Sequence, residues 1–392
     1  MSIVVERDRA PILRPPVPLR GAAKGGRSAV AKILSLDDVL AGRRPGRGAV
    51  SNPTGRFERE TREVDIRDEA SLPDPASFVT QVTVEKPKTV ITRNDSPDIS
   101  FDRSINPYRG CEHGCVYCFA RPTHAFVGLS PGLDFETKLF VKEGAAGKLE
   151  RELAAPSYKP RTIAIGTNTD PYQPIERERR VMRSILEVLA RADHPVGIVT
   201  KSSLVARDID ILAPMAAKGL VKVALSVTTL DPALARTMEP RAAAPAKRLA
   251  AIRQLSEAGI PVTVMTAPLI PAINDHEVEA ILGAARDAGA VEAGYVVLRL
   301  PLEVRDLFRD WLVAHHPDKL GHVMGLVQAM RDGKDYDATW GKRMTGTGPY
   351  AWMLGRRFEI AAARLGFSKT RAKLRTDLFR PPTPHGRQLS LF

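Results

Sequence analysis

From about Arg161 onward the chain alternates short apolar runs with longer amphipathic stretches. The runs Thr162 to Gly166, Val196 to Thr200, Lys222 to Val227, Pro261 to Met265 and Tyr295 to Leu300 have the length and β-branched content of strands. Between them apolar residues recur at helical spacing over about 177–192, 207–218, 246–258 and 275–288. Such alternation predicts an α/β fold with a parallel sheet covered by helices, because each parallel connection must cross back over the sheet. Past Glu303 the strand signal ends, while 318–331 and 349–365 keep helical spacing. The beginning differs: prolines at 11, 15, 16 and 18, glycines at 25 and 26, and the run from Gly42 to Gly48 predict a segment without regular structure. Ile33 to Leu40 is its one apolar strip. The expected organisation is a basic, mostly disordered segment (1–60), an irregular lead-in (61–100), an α/β region (101–300), a helical C-terminal region (301–379), and a proline-rich tether with a tail (380–392).

Composition changes the picture in two ways. The chain has 392 residues, 43% of them hydrophobic, enough for a sizeable core, but no uninterrupted apolar run of about 18 residues that would predict a membrane span. Glu6, Arg7, Asp8 and Arg9 stand where a signal peptide needs an apolar stretch, so a cytoplasmic location is expected. The net charge of +13 is also unevenly spread. Residues 1–60 hold 12 basic and 6 acidic side chains, residues 331–392 hold 13 and 5, and the residues between them hold 33 and 34. Basic ends on a neutral centre predict a polyanionic partner, with simple solubility as the alternative role for the arginines.

The candidate chemistry is concentrated in Gly110-Cys111-Glu112-His113-Gly114-Cys115-Val116-Tyr117-Cys118, which holds all three cysteines of the chain. Three cysteines within eight positions do not make a secreted disulfide framework. Their spacing lets three thiolates on one loop hold an iron-sulfur cube, a 4Fe-4S cluster, whose fourth iron has no protein ligand. The other metal reading is a Cys3His zinc site with His113 or His124 as fourth ligand. A structural zinc usually supports a small module, whereas these cysteines lead into a large α/β region.

The cysteine spacing, with Tyr117 just before the last cysteine, resembles the radical S-adenosylmethionine (SAM) superfamily. The longer string from Asn106 to Gly110, continued by Ala120 to His124, is similar to the bacterial branch near spore photoproduct lyase. The resemblance implies a partial parallel (β/α)6 barrel and two cofactors, a 4Fe-4S cluster on Cys111, Cys115 and Cys118 and S-adenosyl-L-methionine. It also implies reductive cleavage of SAM to a 5′-deoxyadenosyl radical, with electrons from a low-potential donor such as flavodoxin or ferredoxin. Carried onto strand ends, it places the methionine amino group at Gly166, Thr167, Asn168, Thr169 and Asp170, a ribose hydroxyl at Ser226, the methionine carboxylate at Arg241, and adenine near Ile270 and Asn274. Tyr117 joins this cofactor set. With every cysteine in the motif, there is none left for a second cluster, for a methyl-carrying cysteine, or for the cysteine hydrogen donor of spore photoproduct lyase. Tyrosine is the available donor type, with Tyr108, Tyr172 and Tyr295 near expected strand ends.

Gln388-Leu389-Ser390-Leu391-Phe392 resembles the pentapeptide by which bacterial replication and repair proteins dock on the sliding clamp. Gln388 would supply directional hydrogen bonds, and Leu389, Leu391 and Phe392 apolar anchors for a preformed groove. The expected function is a radical SAM enzyme acting on DNA in repair or processing. A radical enzyme modifying RNA or protein, and a non-catalytic DNA-associated iron-sulfur sensor, are the alternatives.

Overall fold

The computed structural model describes residues 46–58, 79–370 and 372–383. Ten strands lie among them: β1 (Gln81–Val84), β2 (Thr92–Arg93), β3 (Arg103–Ile105), β4 (Tyr108–Arg109), β5 (Lys138–Val141), β6 (Ile163–Ile165), β7 (Val196–Thr200), β8 (Val221–Ser226), β9 (Val262–Leu269) and β10 (Glu292–Val297). The main sheet runs β10-β9-β8-β7-β6-β3-β2. Its neighbours from β3 to β10 all pair in parallel, giving the six-stranded partial barrel, and β2 adds an antiparallel edge. A smaller sheet, β1-β5-β4, stands beside it.

The alternation of the strands explains how they serve two surfaces at once. Along β7 and β8, Val196, Ile198, Val221, Val223 and Leu225 are buried against helices, while the residues between them are half-buried. Those alternate residues point into the barrel, where Val199 of β7, and Met265 in the same alternation on β9, reach the cavity described below. The longer covering helices are α1 (Ala145–Leu153), α2 (Val181–Arg191), α3 (Ile209–Ala217), α4 (Pro245–Glu257) and α5 (Val278–Asp287). In α2, Met182, Ile185, Leu186 and Leu189 form one buried stripe at helical spacing. Beyond the barrel come α6 (Val304–His315), α7 (Leu320–Ala329) and α8 (Gly348–Arg364). No helix among the described residues is long and apolar enough to cross a membrane.

The structure adds three features to the sequence reading. The first barrel strand, β3, is Arg103-Ser104-Ile105, buried throughout although two of its three residues are polar, so it carries no hydrophobic signature. The stretch 61–100, expected to be irregular, contains β1 and β2. Residues 46–58, expected to belong to an unstructured segment, pack on the protein, with Ala49 fully buried. At the other end the chain after α8 turns back under the barrel. There Ala372 donates its N–H to Glu292, Arg375 to the Gly219 carbonyl and Arg380 to the Ala192 carbonyl. The Ile33 to Leu40 strip and the clamp-like pentapeptide at 388–392 lie outside the described residues.

Candidate functional site

A cavity of about 290 Å³ opens at the carboxyl ends of the barrel strands. Gly166, at the end of β6, makes part of its wall possible: its φ is +88°, and a Cβ would lie 2.0 Å from the Val199 carbonyl oxygen. Only glycine can make that turn, which brings Thr167 to Asp170 back to the wall beside the cysteine loop. Cys111, Cys115, Cys118, Tyr117, Gly166 to Asp170 and Ser226 all line this one space. Ten positions singled out in three separate stretches of the sequence therefore come together.

The cysteine loop is sewn in place from every side. Arg121 is fully buried and donates to the carbonyls of Gly114, Cys115, Pro131 and Gly132 at 2.9–3.2 Å. Its charge is balanced by Glu136, 2.5 Å away and equally buried. Glu136 in turn accepts the backbone N–H groups of Gly48 (3.0 Å) and Ala49 (2.9 Å), so residues 46–58 close over the loop as a strap. On another side Glu112 accepts from the Thr80 hydroxyl, the Ile175 amide and the Arg241 guanidinium. Gln173 spans the loop base, accepting from Glu112 N–H and donating to the Gly110 carbonyl.

All three thiols are pushed up in pKa, chiefly by burial, with Cys115 near 12. Thiolates in such surroundings need a strongly cationic centre to compensate them. Among the described residues, no three His, Cys, Asp or Glu side chains gather closely enough to hold a single metal ion. Neither histidine completes a zinc set. The Nδ1 of His113 faces Asp170 at 3.4 Å, and His124 lies off the cavity with Nε2 on the Lys138 carbonyl (2.9 Å). Three thiols spread around a cavity on a loop this tightly held fit a multinuclear cluster and do not fit a zinc knuckle.

Two groups to which the sequence analysis assigned no role face the thiols. Lys201, just after β7, lines the cavity, with its Nζ 5.7 Å from the centre of the Tyr117 ring and 3.4 Å from the Ala267 carbonyl. Glu239 is wholly buried 4.0 Å from the Cys115 sulfur. It accepts from the hydroxyls of Tyr117 and Thr228 and pairs with Arg248 at 2.5 Å. Burial opposes its charge, but Arg248, Lys201 and the hydroxyl donors together hold its pKa below the ordinary value. Asp170 behaves alike: burial opposes ionisation, yet His113, the Lys201 amide and the Thr200 hydroxyl hold it low. Both carboxylates are fixed anions whose place is set by the fold, which no local spacing reveals.

Other expected site residues lie elsewhere. Arg241 is outside the cavity lining, bound to Glu112 at 2.9 Å. Asn274 is fully buried and ties strand ends together, accepting from Ile270 N–H (2.6 Å) and donating to the carbonyls of Thr228 (2.7 Å) and Pro268 (3.0 Å). Ile270 packs in the apolar cluster with Val116 and Tyr117. None of Tyr108, Tyr172 and Tyr295 reaches the cavity. The Tyr108 hydroxyl is bound to Glu176, Tyr172 packs in the core beneath the Arg207 guanidinium, and Tyr295 lies against Phe358 with ring centres 4.7 Å apart. Tyr117 is the tyrosine on the cavity wall.

Residues 105–285 match the family model described as Radical SAM superfamily. An uncharacterized protein of Mycobacterium tuberculosis is 40% identical over 232 residues, 59% of this chain and 68% of the relative. The chain belongs to the radical SAM superfamily. An uncharacterized protein of Methanocaldococcus jannaschii is 29% identical over 214 residues, 55% of this chain and 76% of that one. Among solved structures, a spore photoproduct lyase variant with bound AdoMet and dinucleoside spore photoproduct superposes with a TM-score of 0.52 at 15% identity, covering 79% of this chain and 86% of that one. A second variant of the same lyase gives 0.51 at 14% identity with the same coverage. This radical SAM enzyme therefore uses a 4Fe-4S cluster and S-adenosylmethionine, and Cys111, Cys115 and Cys118 line the cavity together, where they could hold the cluster.

Proposed function

We propose that this enzyme performs its radical chemistry on DNA, in lesion repair or processing. The observation that carries the reading is the one cavity in which two buried thiols and a half-buried one, the polar turn Gly166 to Asp170 and the cation Lys201 meet. When bound, the two cofactors supply one-electron cleavage of the sulfur–C5′ bond of SAM, yielding methionine and a 5′-deoxyadenosyl radical. The chain's own residues do the positioning. Lys201 pairs with the methionine carboxylate, the role first read for Arg241, whose guanidinium is engaged by Glu112. Asp170 and Asn168 take the amino group, Ser226 a ribose hydroxyl, and Tyr117, held by Glu239, fixes the cluster-side wall.

DNA is favoured as substrate by three further observations. The net positive charge lies in the two ends of the chain, Gln388 to Phe392 resembles a sliding-clamp ligand, and a fold neighbour binds a dinucleoside photoproduct. The cytoplasm, with a flavodoxin or ferredoxin as electron source, is the setting this reading implies. The test is anaerobic reconstitution followed by reduction with SAM and DNA deuterated in its sugars and thymine methyls. Deuterium in the released 5′-deoxyadenosine is the expected result. Transfer from RNA or a protein but not from DNA overturns the substrate assignment, and no 5′-deoxyadenosine with any substrate would favour a sensor.

A further inference from the structure

The buried and half-buried arginines around the site are held by carboxylates or backbone carbonyls, whereas Arg299, the arginine on the cavity wall, is held by neither. Arg121 and Arg248 each pair with a buried carboxylate, Arg241 is bound to Glu112, and Arg331 donates to two carbonyls at 2.8 and 2.9 Å. Arg299, two residues beyond β10, lines the cavity as well. Its contacts are the Met344 sulfur at 3.6 Å, the Tyr336 hydroxyl at 3.4 Å and the face of Phe119 at 4.8 Å, and its buried Nε has no hydrogen-bond partner. Among the described residues no carboxylate stands within ion-pair distance of it. A guanidinium has five donors in a planar fork, and leaving them on a thioether, a long phenol contact and a ring face is costly unless a ligand arrives.

Location separates this cation from Lys201. Lys201 lies over the Tyr117 ring beside the cysteine loop, whereas Arg299 lies over the Phe119 ring and reaches Met344 and Tyr336. Arg299 also touches Tyr336, which lines a separate surface groove of about 730 Å³. Phe119, directly after the last cysteine, is 43% exposed at the same rim. The rim therefore joins the radical-generating cavity to an outer groove through one unsatisfied cation and one accessible ring.

We propose that Arg299 anchors an anionic phosphate oxygen of the substrate while Phe119 offers a stacking face to the adjoining base, so that the rim receives one nucleotide unit. The geometry suits this ligand class because a fork of N–H donors matches phosphate oxygens and an exposed aromatic face matches any base. The assignment rests on the DNA reading above.

The test uses the full-length, cluster-loaded protein and fluorescence anisotropy with a 12-nucleotide single-stranded DNA and its uncharged methylphosphonate counterpart. Arg299→Gln weakens the phosphodiester oligonucleotide by about tenfold or more, as loss of a charge-assisted pair should. It leaves iron content and SAM affinity as in the wild type. Arg299→Lys recovers part of the affinity, Phe119→Leu weakens both oligonucleotides, and the uncharged one does not distinguish Arg299 from Gln. Weaker SAM binding in Arg299→Gln, with oligonucleotide binding intact, would instead make Arg299 part of the cofactor site. Wild-type binding of the oligonucleotide with no change in either Arg299 variant overturns the anchor alone, whereas a wild type that binds no nucleic acid overturns the DNA reading together with it.

Discussion

Glu136 joins three parts of the protein that are distant in sequence: it balances buried Arg121, which holds the cysteine-loop carbonyls, and it receives the amides of Gly48 and Ala49. Glu136→Gln keeps the shape but leaves Arg121 charged without a counterion, which costs about 3 kcal/mol by analogy with other broken buried pairs. We expect a lower urea midpoint and faster loss of iron from the reconstituted enzyme; unchanged values for both would mean the pair does not hold the loop. Lys201→Met should act differently, weakening SAM binding by about tenfold or more through loss of one charge-assisted contact, with iron per chain unaltered. Isothermal titration with SAM decides it, and equal affinity removes Lys201 from the cofactor site. The contrast between these residues and the cysteines shows what was legible at this scale. Cys111, Cys115 and Cys118 announce themselves because ligands of one cluster can sit close together on one loop. Lys201 and Arg299 reach the same space from just beyond β7 and β10, and Glu239 stands behind it against Cys115, so no close spacing of like residues marks them.

The strap at 46–58 is the element whose role the sequence concealed. Glycine and proline content pointed to an unstructured chain, yet Gly48 lies so close to the cysteine loop that a Cβ on it would be 1.6 Å from the Gly114 carbonyl oxygen. Gly48→Ala must therefore push the strap away from the loop without touching any ligand residue. Its expected outcome is reduced iron retention and increased proteolysis near residues 46–58, checked by iron assay and mass mapping; wild-type retention would show the strap to be dispensable. The C-terminal return is a second strap, anchored by Phe379 against Tyr158 and His194. His194 is fully buried, takes the Tyr158 hydroxyl at 2.7 Å, and has its pKa lowered to about 4, mainly by burial. A histidine depressed in the folded state supports the fold above its unfolded value of about 6.5 and loses that support as pH falls towards 4. Between pH 7 and pH 4 the wild type should thus lose about 3 kcal/mol more than His194→Gln. Urea titrations of both proteins across that range test it, and parallel curves would refute the assignment. The barrel strands β6 to β10 were legible because they carry apolar runs, and even the three-residue β6, Ile163-Ala164-Ile165, is wholly apolar. In contrast, β3 has three residues, two of them polar, held by neighbours that only the sheet supplies.

At the scale of the whole molecule, charge and shape are arranged on different parts of the chain. The barrel and its cavity occupy a stretch that is almost neutral, with 33 basic and 34 acidic residues between positions 61 and 330, and the surplus of positive charge belongs to the ends. An enzyme built this way would meet DNA through contacts that are sequence-independent and salt-sensitive, because each neutralised phosphate releases counterions. Such contacts bring no selectivity for a place or a moment, which the pentapeptide Gln388 to Phe392 could add by linking the chain to a clamp already loaded on DNA. Tethering makes the second contact intramolecular, so neither needs to be tight alone. The two contributions differ in physical kind: the apolar anchors Leu389, Leu391 and Phe392 should tolerate salt, and the basic ends should not. Removing residues 388–392 is therefore expected to abolish binding to purified sliding clamp while leaving iron content, SAM cleavage and the salt dependence of DNA binding as they were. Titrating the clamp with full-length and shortened protein at low and high salt measures this directly. Equal binding by both forms, or by neither, would take away the clamp as partner and with it one of the main reasons for preferring DNA over RNA or protein as the substrate.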